Sequence, residues 1–168
     1  MIARKIMLLG EIGVGKSSLV RRLVFDRFEI EYKPTIGVDV YRYVVPDEPG
    51  KPGMNLIVWD TDGNFSDALF RHVYMKQASA AVIVGDISRL DTLDSMVKLA
   101  RGFSEALPGR YVAHVVNKMD LLKEGEAPQL PQALLEPHRN VVETSALLGM
   151  NVRRCFEEIA LAIIRRGL

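Results

Sequence analysis

Short runs of unbroken apolar residues alternate along this chain with stretches in which apolar positions recur every three or four residues. Ile6-Met7-Leu8-Leu9, Asn55–Trp59, Ala80–Gly85, Tyr111–Val116 and Val141–Glu143 make up the first set and predict strands. Their continuous apolar character suits a parallel sheet covered on both faces, because a half-exposed strand alternates instead. The second set predicts helices at about 16–26, 67–77, 91–107 and 151–166. In the last of these, Asn151 stands as the N-cap. Val152, Phe156, Ile159 and Ile163 follow at spacings of four, three and four. A weaker helical stretch within 129–136 is crowded by Pro128, Pro131 and Pro137. Val38–Val45 mixes Val38, Val40 and Tyr41 with Asp39, Arg42 and Tyr43, as an edge strand does. The turn-rich stretch 46–53 follows, so 38–59 predicts a hairpin. Together these elements predict a doubly wound α/β fold of three layers, its six-stranded sheet mostly parallel with one antiparallel edge strand. Ligands of such sheets bind outside the carboxyl ends of the strands.

The candidate chemistry falls at those ends. Gly10-Glu11-Ile12-Gly13-Val14-Gly15-Lys16-Ser17 satisfies the G-x-x-x-x-G-K-[ST] pattern without a mismatch, between a predicted strand and a predicted helix. Its glycines let backbone N–H groups close around a phosphate at a helix N-terminus. Lys16 supplies a point charge for the outer phosphates, and the Ser17 hydroxyl reaches a Mg²⁺. Trp59-Asp60-Thr61-Asp62-Gly63 ends the next strand; Asp60 is the candidate second partner for Mg²⁺, through a water, and Gly63 offers an unobstructed N–H to a terminal phosphate. Asn117-Lys118-Met119-Asp120 follows a later strand. A carboxylate there accepts from both the N1–H and the exocyclic amine of guanine, a donor pair adenine lacks. The small residues of Glu143-Thr144-Ser145-Ala146-Leu147 let backbone N–H groups approach a base. Thr35 offers a second hydroxyl to Mg²⁺ as an alternative to a simple turn role after Pro34, and Phe28 either packs on the base or joins the core.

Composition narrows the frame. One hundred and sixty-eight residues suit a single domain over 1–168, and a 48% hydrophobic content suffices for a core without staples. A formal net charge of +1 gives no field favouring nucleic acid or an anionic membrane. The sole cysteine, Cys155, fits a reducing, cytoplasmic setting and a small buried hydrophobe. No apolar run reaches the roughly 18 residues of a membrane span. Residue 2 is Ile and no cysteine lies near Arg165-Arg166-Gly167-Leu168, so neither myristoylation nor prenylation is expected of the chain as it stands. His72, His114 and His138 have no metal-ligand spacing, and His114 is expected to be a satisfied structural histidine. Met75 and Phe70 are either helix core or partner-facing, the second reading being favoured because Trp59 would extend such an apolar patch.

These residues resemble the Ras superfamily of small GTPases, and within it the Rab branch. Gly10–Ser17, Thr35, Asp60–Gly63, Asn117–Asp120 and Ser145–Leu147 fall on its five nucleotide-binding motifs in order and spacing, across nearly the whole chain. Tyr32-Lys33-Pro34-Thr35-Ile36-Gly37-Val38-Asp39 and Trp59-Asp60-Thr61 are close to Rab wording. The resemblance implies a P-loop NTPase fold and a GDP/GTP switch with Mg²⁺. Segments of about 30–38 and 62–75 would be ordered by the γ-phosphate. Effectors, exchange factors and GTPase-activating proteins would dock at about 30–45 and 62–75, on a monomer. Nucleotide contacts map onto Glu11, Ile12, Gly13, Val14, Gly15, Lys16, Ser17, Ser18, Phe28, Thr35, Gly63, Asn117, Lys118, Asp120, Leu121, Ser145, Ala146 and Leu147. Metal contacts map onto Ser17, Thr35 and Asp60, and turnover rests on Asn64, Lys16, Thr35 and Gly63.

Four departures from the family pattern bear on turnover. Asp62 stands where the family writes Ala; two unit charges about 6 Å apart cost roughly 3 kcal/mol at an effective dielectric of 20, so a carboxylate facing a γ-phosphate favours GDP. Asn64 stands at the water-positioning glutamine, one methylene shorter, and a displacement of about 1 Å lowers a rate ~100-fold. Intrinsic hydrolysis is therefore expected at or below ~10⁻⁴ s⁻¹. Ile12 crowds the approach of an arginine supplied in trans, while Arg42 or Arg71 are candidates in cis set against a solvated role. The lipid-accepting tail is absent and the 46–53 turn is extended, as suits a prokaryotic or soluble relative. The alternative to a slow enzyme is a hydrolysis-deficient nucleotide-binding scaffold; a P-loop kinase lacks a second substrate site and a lid.

Overall fold

The computed structural model describes residues 1–31, 35–61 and 73–168. Their strands are β1 (Ile2–Leu9), β2 (Val38–Val45), β3 (Met54–Thr61), β4 (Ala78–Asp86), β5 (Tyr111–Asn117) and β6 (Val141–Glu143). The helices are α1 (Lys16–Phe25), α2 (Leu90–Ala106) and α3 (Val152–Arg165). The six strands form one sheet in the order β2-β3-β1-β4-β5-β6. Only β2 runs antiparallel, pairing Val38 with Thr61 through Val45 with Met54. Every other neighbouring pair is parallel. The expected α/β architecture with a single antiparallel edge strand is thus observed.

Why the central strands read as unbroken apolar runs is plain from the packing. Successive side chains point to opposite faces, and both faces are covered. Ile6 and Leu8 of β1 join Leu56, Val58, Val82 and Val84 against α1 and α3. Met7 and Leu9 join Ala81, Ile83 and Val116 against α2. Gly85 allows α2 to approach: a Cβ there would lie 2.4 Å from Met96 Sδ. The hairpin turns through Glu48–Lys51, where each residue's N–H donates to the other's carbonyl at 2.8–3.0 Å. Gly50 at φ 79° supplies the left-handed residue after Pro49.

Several expectations are corrected. The stretch 129–136 yields only a 3₁₀ turn at Gln132–Leu134, since Pro131 within it and Pro128 and Pro137 beside it remove donors and fix φ. Asn151 precedes α3 but does not cap it with its side chain; it is left-handed, and its Nδ2 donates to the Glu143 carbonyl at 2.9 Å. Met75 is not partner-facing but buried in the α2-side core. Trp59 is half-buried, with Lys5 Nζ 3.7 Å from its ring centroid and the Tyr74 ring at 6.0 Å. The helix expected at 67–77 lies largely outside the described residues, as does Phe70. Cys155 is buried, and burial pushes its thiol up to about 12.

His114 is buried on β5 as expected, but it is not fully satisfied: its buried Nδ1 has no hydrogen-bond partner. Arg139 Nη1 lies 3.2 Å from its Nε2. A guanidinium only donates, so Nε2 carries the lone pair and Nδ1 the proton. Burial, reinforced by the charges of Arg139 and His138, lowers its pKa to about 4. The unfolded chain therefore binds the extra proton between about pH 6.5 and pH 4, and the folded chain does not. Stability is full above that window and falls on acidification, by up to about 3 kcal/mol. Urea unfolding of the wild type and of His114→Phe between pH 7.5 and pH 4.5 checks this: the wild type is expected to lose more stability than the variant, and parallel curves would refute it.

Candidate functional site

The phosphate-loop pattern occupies the turn from β1 into α1, at the carboxyl edge of the sheet. Gly15 is left-handed at φ 102° and stands directly before the helix. A Cβ on Gly15 would lie 2.3 Å from Asn117 Nδ2, so glycine permits the loop to meet β5. Lys16 is buried, and its ammonium donates to the carbonyls of Gly10 and Glu11 at 2.8 and 2.9 Å. Arg89 Nη1 donates to the Ile12 carbonyl at 2.8 Å, and Ser95 Oγ to Glu11 Oε1 at 2.8 Å.

Beside the loop, Ser17 Oγ lies 2.7 Å from Thr35 Oγ1 and also donates to Asp60 Oδ2. Asp60 is fully buried, and its other oxygen, Oδ1, has no hydrogen-bond partner. Burial pushes this carboxyl up to about 6, against the opposing effects of the Ser17 hydrogen bond and of Lys16. Thr61 next to it is anchored through Oγ1 to the Leu8 carbonyl at 2.6 Å. Two hydroxyls and an orphaned carboxylate oxygen are a hard-oxygen set suited to Mg²⁺. Among the described residues no group of three or more His, Cys, Asp or Glu could hold a metal, so a cation here would need further oxygens from a ligand.

The opposite end is built by β5, β6 and the turns after them. Asn117 Nδ2 donates to the Val14 carbonyl at 3.1 Å, while its Oδ1 accepts from Thr144 Oγ1 at 3.0 Å and from the Ala146 N–H at 3.2 Å. Lys118, left-handed at φ 67°, donates to the Gly13 carbonyl at 2.7 Å and pairs with Asp86 Oδ2 at 2.7 Å. Burial alone would raise the Asp86 carboxyl, but Lys118 and Ser88 hold it below its usual value. Asp120 Oδ1 accepts from Ser145 Oγ at 2.5 Å, which fixes how the carboxylate faces the space beside it.

Between the two ends runs a cavity of about 640 Å³. Fourteen of the residues singled out from sequence border it: Ile12, Gly13, Gly15, Lys16, Ser17, Ser18, Phe28, Thr35, Asn117, Lys118, Asp120, Leu121, Ala146 and Leu147. Phe28 also packs against the core, as one of its two readings expected. Val14, Asp60 and Ser145 stand behind the wall, buried, and Glu11 is turned to Ser95. Gly63 and Asn64 lie outside the described residues, with Asp62, Arg71 and His72. Arg42 is tied to Asn55 Oδ1 at 2.8 and 3.0 Å on the β2–β3 pair. Sequence reasoning passed over Asp86, although a carboxylate ending a buried central strand is itself a signal. It also passed over Arg21 and Glu29, which border the cavity as well.

Residues 5–165 match the Ras family. The chain is 34% identical over 159 residues to the Ras-related protein Rab-31 of Homo sapiens, covering 93% of this chain and 80% of that protein. It is 32% identical over 163 residues to the GTP-binding protein ypt5 of Schizosaccharomyces pombe, covering 95% and 77%. To the Ras-related protein Rab-22A of Canis lupus familiaris it is 31% identical over 162 residues, covering 93% and 81%.

Gly15→Ala places a methyl group against the Asn117 amide and strains a left-handed position. It is expected to destabilise the chain by about 2–4 kcal/mol, read as a lower urea midpoint with an unchanged m-value.

Proposed function

The chain belongs to the Ras family, as a Rab-like small GTPase, and on that premise we propose that it is a guanine-nucleotide switch that binds GDP and GTP with Mg²⁺ and hydrolyses GTP slowly. The observation that carries this reading is one continuous cavity bordered by the phosphate loop at one end and by Asp120 at the other, with Asn117 hydrogen-bonded to both sides. Gly13, Gly15, Lys16 and Ser18 hold the phosphates. Asp120 accepts from guanine, and Asn117, Lys118 and Ala146 frame the base. Phe28, Leu121 and Leu147 supply apolar contact at its rim.

Ser17 and Thr35 are the direct Mg²⁺ ligands of this reading, with Asp60 behind them through a water. The orphaned Asp60 Oδ1 supports that assignment. When bound, the metal neutralises charge on the β- and γ-phosphates. Lys16 moves its donors from loop carbonyls to phosphate oxygens without leaving its place. Gly63 and Asn64 take their roles from sequence alone: a backbone N–H for the γ-phosphate and an amide that orients the attacking water. Water adds to the γ-phosphorus as the bond to the β-phosphate oxygen breaks, giving GDP and inorganic phosphate. Partner proteins of the switch dock at about 30–45 and 62–75, on a single domain spanning 1–168. No helix among the described residues is long and apolar enough to cross a membrane.

Nucleotide released from gently purified, then denatured, protein tests the reading; guanine nucleotide is expected, and adenine nucleotide or none would overturn it. Asp120→Ala removes the acceptor for two guanine donors. It should cut the preference for GDP over ADP by about 100-fold or more, taking each charged hydrogen bond at about 1.5 kcal/mol. In single-turnover assays with Mg²⁺, Asn64→Gln is expected to raise the rate of GTP hydrolysis by at least about tenfold by restoring reach. An unchanged rate would remove Asn64 from the mechanism.

A further inference from the structure

Arg22 lies on α1 and does not border the cavity, yet it is bound to the loop that frames the base. Its Nε donates to the Ala146 carbonyl at 2.8 Å and its Nη2 to the Leu147 carbonyl at 2.7 Å. The third nitrogen, Nη1, donates to the Asp26 carbonyl at 3.2 Å and meets Asp26 Oδ1 at 3.3 Å. Asp26 closes α1 in a left-handed conformation at φ 52°, with its N–H returned to the Arg22 carbonyl at 3.0 Å. One planar guanidinium therefore joins the start of the segment that carries Phe28 to the 145–147 loop, more than a hundred residues away in sequence. The Arg22 side chain is 19% exposed and Asp26 is 87% exposed, so the weight rests on the two loop carbonyls rather than on the surface ion pair.

We propose that Arg22 is a positioning residue for guanine: it fixes the 145–147 loop so that Ala146 and the Ser145–Asp120 hydrogen bond stand ready for the base. The inference rests on the guanine-nucleotide reading above. Ala146 is held from both sides, its N–H by Asn117 Oδ1 and its carbonyl by Arg22 Nε. Ser145, the preceding residue, orients the Asp120 carboxylate. Loss of the guanidinium fork frees the loop on the α1 side and leaves the phosphate loop untouched, because Arg22 makes none of its bonds. The effect falls on base recognition, not on phosphate binding. Lysine in the same place offers a point charge without the fork and reaches one carbonyl rather than two.

The test compares wild type, Arg22→Met and Arg22→Lys, each as the full chain with excess Mg²⁺. Two quantities are read: the rate at which a fluorescent GDP is released into excess unlabelled GDP, and the ratio of the dissociation constants of IDP and GDP. IDP lacks the exocyclic amine that Asp120 would accept. With each charged hydrogen bond contributing about 1.5 kcal/mol or more, Arg22→Met is expected to release GDP roughly tenfold faster or more. The IDP-to-GDP ratio is expected to fall at least about threefold, since a loosened Asp120 discriminates less. Arg22→Lys is expected to lie between the other two, and it carries the same comparison should the methionine variant fail to fold. Release within twofold of wild type, or faster release with the ratio unchanged, overturns the proposal and leaves GDP binding by the wild type standing. A wild-type chain that retains no GDP overturns the functional reading and this inference with it.

Discussion

The amide of Asn117 is the constraint on which the rest of the site depends. It sits at the end of β5, buried, and its two ends face different loops. Through Nδ2 it holds the phosphate loop at Val14; through Oδ1 it holds the turn after β6 at Thr144 and Ala146. A carboxylate could not do this, because it lacks the donor, and an ammonium could not, because it lacks the acceptor. Because Asn117 is fixed to the central sheet, the distance between the phosphate end and the base end of the cavity is set by strand geometry rather than by loop conformation. Gly15 completes the arrangement, since any side chain there would displace the amide.

The two lysines around that amide are satisfied before any ligand arrives. Lys16 is held by two loop carbonyls, and Lys118 by Asp86 and the Gly13 carbonyl. Asp60 has Ser17 on one oxygen and nothing on the other. Burying such groups unpaired would cost several kcal/mol each. The two lysines avoid that cost inside the protein, whereas Asp60 avoids it only in part, and its raised pKa records the deficit. A carboxylate kept partly unsatisfied beside two hydroxyls fits the proposed Mg²⁺ site, and a cation there would relieve the same deficit. The site is therefore preorganised for anions by its lysines and amides, whereas a metal would need further oxygens from its ligand or from water.

Much of this was legible in the chain itself. The central strands bury both faces, so they appear as continuous apolar runs, and β2 differs because it lies at the edge. The phosphate loop and Asn117–Asp120 were readable because each needs fixed residue types at fixed spacing. What escaped was set by long-range geometry. Arg22 and Arg89 look like ordinary surface arginines on helical spacing; their partners are carbonyls in loops, and a carbonyl has no sequence signature. Met75 was misjudged because its environment is decided by the opposite layer of the fold, α2, rather than by its neighbours in the chain. Asn151 carries the right residue type for a cap, but a left-handed backbone turned its side chain to β6 instead.

Two tethers of unequal strength flank the cavity, and the inequality gives its opening a direction. At the metal end, Thr35 is attached to Ser17 by one hydrogen bond between neutral hydroxyls, a class that contributes about 0.5–1.5 kcal/mol. At the base end, Arg22 holds two carbonyls with a charged fork, at about 1.5–3 kcal/mol for each bond. Under the proposed function, a metal and a phosphate would add to that hydrogen bond, and the position of Thr35 would follow the ligand. Under the same reading, the Arg22 fork would hold the 145–147 loop whether or not the Thr35 side is closed. Under the proposed function, this separates two tasks within one cavity: guanine is recognised by a wall that stays fixed, and the phosphate state is reported by a segment whose attachment is weak enough to be changed by it. A ligand shifts an equilibrium only by its differential affinity for the two states, and a tether near 1 kcal/mol is one that a single metal contact can outweigh.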